Sequence, residues 1–144
     1  MKNQKGTAAI EFAIVLPILA LLVFGIIESS IFLYDKAVIT NASREGARAG
    51  IVYSYPDRIS DADIETVVNN YCMDHLITFG DALTPIGIVI ERTGAGSSGV
   101  PLTVRLTYRY DFLVLPDLSN LFSDPDTGLP PGIDLTAETV MRME

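Results

Sequence analysis

From Thr7 to Ile27 the chain carries a single charge, Glu11; apart from Thr7, the other residues are apolar or small. A helix rises ~1.5 Å per residue, so about 20 such residues cross a ~30 Å hydrocarbon layer. This stretch therefore reads as a membrane-embedded helix. Glu11 is the anomaly in it. A carboxylate in lipid costs at least ~2.5 kcal/mol, so a residue of this kind has a partner and a task. A cleaved secretory signal is the rival reading. Its apolar core is shorter, roughly 7–15 residues, and it ends at a small-residue cleavage site. Here the run is longer and flows on into a helical pattern, which favours a retained helix.

Glu11 sits five residues after Gly6, behind the short basic leader Met1–Lys5. That arrangement resembles a type IV prepilin, similar to the type IVb (Flp, tight-adherence) pilins and pseudopilins. The resemblance implies cleavage between Gly6 and Thr7, with Glu11 as the fifth residue of the mature chain.

Pro17 lies inside the apolar run. It removes one backbone donor and crowds the carbonyl of Ala13, so a kink or local loosening is expected. Neighbouring helices in a membrane can satisfy the freed carbonyl. A sharper reading makes Pro17 a point of partial unwinding when the helix leaves the bilayer. Beyond Glu28 the helix is expected to continue, since Ile31–Gly50 has no proline and several alanines. One helix from Thr7 to about Tyr53, ending before Tyr55-Pro56, would be ~70 Å long. Ala42, Gly46 and Gly50 recur every four residues and form a smooth ridge that admits a close neighbour. That neighbour is either the protein's own head or another subunit. Arg44, Arg48 and Glu45 place charge elsewhere on the helix surface.

The rest of the chain is short enough for one small domain. From Ser54 onward there are fourteen Asp/Glu against five Arg and no Lys. An acidic head lacks the basic footprint of a nucleic-acid binder. Lys2 and Lys5 point to a cytoplasmic N-terminus and an extracytoplasmic head. Cys72 is the sole cysteine and His75 the sole histidine. No intrachain disulfide and no Cys/His zinc set can form, and no metal or cofactor is expected.

Ser60-Asp61-Ala62-Asp63 has the form of a capping box with Asp in place of Glu. It should open a helix whose apolar face is Ile64, Val67, Val68, Tyr71, Cys72 and Phe79, ending near Gly80. Cys72 should be a buried inert thiol, and His75 a packed or edge residue. Ile86–Ile90 is rich in β-formers. Thr93–Gly99 reads as a hairpin turn, without the lysine of a phosphate loop. Leu102–Tyr110 alternates apolar and polar residues, as a half-buried antiparallel strand does. Pro116–Asp134 reads as a long acidic loop. Within it Asp124-Pro125-Asp126 lacks the further ligands of a calcium site. Leu135–Met143 closes the chain as a strand. The expected fold is α+β: leader 1–6, long helix 7–53 with 7–27 in the membrane, and a head at 54–144 with one helix and an antiparallel sheet.

Two further stretches sharpen the resemblance. Asn41-Ala42-Ser43-Arg44-Glu45-Gly46-Ala47-Arg48-Ala49-Gly50 and the tail Ala137–Glu144 look like those of TadE-like pseudopilins. Gly46 stands where that family more often has alanine. Membership would imply a minor pilin-like subunit of a tight-adherence pilus, in the bacterial inner membrane. Its partners would be lipid, other pilin or pseudopilin subunits, a prepilin peptidase and an assembly platform. The rival from another class is a monomeric signal-anchored protein whose head binds a ligand or an envelope protein. An anchored enzyme finds no catalytic constellation to support it.

Overall fold

The computed structural model describes residues 4–53, 58–78, 86–93, 98–112 and 132–144. Helix α1 spans Gln4–Ile51 without interruption and passes through Pro17. Helix α2 spans Asp61–His75. Three strands follow: β1 (Gly87–Arg92), β2 (Pro101–Tyr110) and β3 (Ile133–Arg142). They form an antiparallel sheet in the order β1-β2-β3, with Gly87 opposite Thr107 and Tyr110 opposite Ile133. The result is the α+β architecture expected, a long apolar helix carrying a small head.

The alternation read in β2 is the alternation observed. Leu102, Val104, Leu106, Tyr108 and Tyr110 are all buried. They face α1 and α2 across a core that includes Ala42, Ala47, Ile64, Val68 and Cys72. Ile39, Tyr108, Tyr110, Leu135 and Ala137 extend that core along α1 toward its apolar half. On the other face of the sheet, Arg105 pairs with Glu138 at 2.7 Å and Arg109 with Asp134 at 3.1 Å. Such exposed cross-strand pairs contribute little stability, roughly 0.2–1 kcal/mol each, but keep that face wet.

The start of α2 is the capping box. The Asp63 N–H donates to Ser60 Oγ at 3.2 Å, and the Ser60 N–H donates back to the Asp63 carboxylate at 3.1 Å. The Ser60 hydroxyl, and then its N–H, hold the Asp63 carboxyl below the usual range. The end of α2 differs from the expectation. The helix stops at His75, and Leu76 is already extended at φ −70° and ψ 141°. Ile77 N–H donates to Asp35 Oδ1 at 3.2 Å, across 42 residues of sequence. A tertiary acceptor on α1 thus replaces the next intrahelical one.

Two boundaries also move. Helix α1 ends at Ile51, short of Tyr53. Strand β3 begins at Ile133, inside the stretch read as loop, because Asp134 pairs with Arg109 in register and through its side chain. Phe79, Gly80, most of the glycine turn, the Asp124/Asp126 segment and Met1–Asn3 lie outside the described residues.

Cys72 is fully buried, and burial pushes its thiol up to about 11. The thiolate is the reacting species, and the shift from 9.0 to about 11 lowers its neutral-pH fraction on the order of a hundredfold. Maleimide labelling of the native head is therefore expected to be at least that much slower than labelling after unfolding. Rapid labelling of the folded protein would contradict the packing described. His75 stays exposed at the end of α2, stacked on Tyr71 at 4.4 Å and bonded to its carbonyl.

Candidate functional site

The residues singled out by the sequence fall into two groups far apart on α1. Gly6, Thr7, Glu11 and Pro17 lie on the exposed N-terminal half. Ala42, Gly46 and Gly50 lie buried within the head. About 25 Å of helix rise separates Glu11 from Glu28, where the head begins.

The N-terminal half is bare apolar surface. Ile10, Phe12, Ile14 and Ile18 are each more than 60% exposed, on different sides of the helix. A helix apolar all round is made to be covered, by lipid or by other helices. By length and composition this single helix fits a single-pass membrane anchor. A Cβ built on Gly6 meets nothing within 4 Å. The described fold therefore places no demand for glycine there.

The small-residue ridge packs on the protein's own head. A Cβ on Gly46 would come within 2.5 Å of Val68 Cγ2, and one on Gly50 within 2.4 Å of Leu102 Cδ2. These glycines allow α2 and β2 to sit directly on the α1 backbone.

Sequence reasoning passed over a third group, the buried polar residues at the junction of the two halves. Glu28 is 3% exposed and Asp35 is completely buried. Tyr110 Oη donates to Glu28 Oε1 at 2.6 Å. Burial first, then that bond and the negative charge of Glu28, raise the phenol well above its usual range. Phe32 and Phe112 meet Tyr110 edge-on at 5.4 and 5.7 Å. Beside them lies a groove of about 400 Å³ lined by Gly25, Glu28, Phe32 and Ile133 among others. The signal was present in the spacing. Glu28, Asp35, Ile39, Ala42, Gly46 and Gly50 succeed one another by seven, four, three, four and four residues, which is one helix face.

Among the described residues no cluster of His, Cys, Asp and Glu could hold a metal. Asp35 Oδ2 is buried without a hydrogen-bond partner among them. What the arrangement offers is surface: an apolar rod, one carboxylate within it, and a head locked to its far half.

Residues 6–48 match the family model described as TadE-like protein. Over this stretch the chain is similar to TadE-like proteins. The matched segment starts at Gly6, contains Glu11, and runs through Arg44 to Arg48. Comparison with curated proteins and with solved structures finds no match. The TadE-like segment is thus almost the whole of α1, while the head stands outside it.

Proposed function

We propose that the protein is a minor pilin or pseudopilin subunit of a type IVb (Flp) tight-adherence pilus. It is inserted in the bacterial inner membrane with its head outside the cytoplasm, and is then assembled into the pilus or primes it. Its role is structural, without catalysis. The observation that carries this reading is the TadE-like match beginning at Gly6, with Glu11 five residues on, in an exposed apolar helix. In the bilayer that helix stores the subunit. On extraction, the apolar sides of neighbouring helices bury one another, at roughly 25 cal/mol per Å². Cleavage before Thr7 by a prepilin peptidase creates an α-amine, the cation that Glu11 needs in an apolar bundle. The assembly platform and other pilin-like subunits are the remaining partners.

The test is the mature N-terminus. Intact mass of the protein from membranes should correspond to a chain beginning at Thr7. Gly6→Val should block that cleavage while leaving the helix in place, since a Cβ there meets nothing within 4 Å. An assembled protein that still carries its first six residues would refute the proposal.

A further inference from the structure

Among the cations whose side chains are described, two are left without an ion pair or hydrogen bond. Lys36 donates to the Thr136 carbonyl, and Arg58 to the carbonyls of Ile51 and Glu144. Arg92 holds Asp61, Arg105 holds Glu138, Arg109 holds Asp134, and Arg142 bonds the Gly99 carbonyl. Among the residues whose side chains are described, only Arg44 and Arg48 make no contact of this kind. Both are exposed. Each lies two residues from members of the buried Ala42/Gly46/Gly50 ridge, about 200° around the helix. They therefore stand on the back of α1, away from the head.

Their counterpart is on α2. This helix carries Asp61, Asp63, Glu65 and Asp74 and no Lys or Arg. Asp61 and Glu65 are four residues apart, as Arg44 and Arg48 are. Both are exposed, Arg92 engages only Oδ1 of Asp61, and Glu65 has no partner among the described residues. Two helical charge strips of equal pitch and opposite sign are thus presented by different helices of one molecule. Anionic lipid does not fit the arginines. Arg44 is 17 residues past Ile27, about 25 Å of rise beyond the apolar run, outside the headgroup layer. Nucleic acid does not fit a chain of net charge −8.

We propose that Arg44 and Arg48 on the back of α1 dock the Asp61/Glu65 strip of α2 on a second copy of this chain. This rests on the assembly reading and adds a contact to it. Each copy carries both a basic and an acidic strip, so one copy can engage a neighbour through either; whether the contact closes or propagates depends on the rotation between copies. The acidic head otherwise repels its copies, so this contact would set which faces meet.

The test is charge exchange in the full-length protein. Two differently tagged copies are co-expressed, extracted from membranes in low salt and co-purified. Arg48→Glu in both copies, or Glu65→Arg in both, should lower co-purification about tenfold, since attraction becomes repulsion. Mixing an Arg48→Glu copy with a Glu65→Arg copy restores opposite charges at every contact and should return recovery to within about twofold of wild type. Rescue excludes misfolding as the cause of the single-variant losses. A mixture no better than either variant alone, or variants equal to wild type, overturns the proposal. Wild-type copies that never co-purify would overturn the assembly reading as well. Loss on Glu11→Ala without loss on charge reversal would remove only the arginine contact.

Discussion

Glu11→Ala is expected to leave cleavage and membrane insertion intact and to cut incorporation into pilin complexes sharply. The substitution removes an obstacle to insertion, because a carboxylate weakens the partition of an apolar helix into lipid. Its loss therefore harms only a step in which the carboxylate is paired. On the proposed assembly, the pairing partner would be the amine of Thr7, on the same chain or the subunit ahead. Breaking such a pair from one side in low dielectric costs about 3–5 kcal/mol, since the remaining charge stays buried. Glu11→Asp should fall between, its shorter arm reaching less well. Membrane levels and recovery of partner pilins are measured together for the three versions. Equal recovery of partners by wild type and Glu11→Ala would move the protein to the class of monomeric anchored binders.

The second large effect is expected at Gly46. Gly46→Leu should destabilise the head by about 2–3 kcal/mol, beyond the gain in helix propensity. Its Cβ alone would lie 2.5 Å from Val68 Cγ2, and Val68 is fully buried. A β-branched side chain in a packed helix has no second rotamer to retreat to. Gly50→Ala makes the control. Its near neighbours are Leu102 Cδ2 and Ile64 Cδ1, the ends of longer side chains. They can turn aside, and alanine gains ~1 kcal/mol in helix propensity, so the net change should be small. Urea unfolding of the head, followed by Cys72 accessibility, separates the two. A Gly46→Leu midpoint equal to that of Gly50→Ala would show that α2 can shift off α1.

The parts of the fold that were legible are those decided by local rules. The apolar run and the lack of proline from Ile31 to Gly50 announce α1. Strict alternation announces β2, and Ser60 with Asp63 announces the start of α2. The end of α2 was not legible, because Asp35, far back on α1, takes the Ile77 N–H. The start of β3 was obscured for the same kind of reason. Ile133 and Asp134 follow a Pro/Gly/Asp-rich stretch and become strand only through pairing with Arg109 and Tyr110. The Gly6/Glu11 spacing could be read, but its meaning comes from a resemblance and not from any contact within the chain. Glu28 was overlooked because a carboxylate just past an apolar run looks like a boundary marker. Its hydrogen bond to Tyr110 crosses 82 residues, a distance that no local pattern encodes.

That hydrogen bond has a mechanical consequence. The head grips α1 from Glu28 to Gly50, about 33 Å of an unbroken helix, with Tyr110 clamped at its lower rim. Head and rod turn together as long as the helix stays continuous through Pro17. Glu11 lies 17 residues before Glu28, so at ~100° per residue its side chain leaves the axis roughly 100° from the line that points to the head. Whatever partner holds Glu11 thereby also sets the compass bearing of the head. The helix then acts as a torsional key, and the phase between Glu11 and Glu28 decides which face of the head looks outward from the assembly.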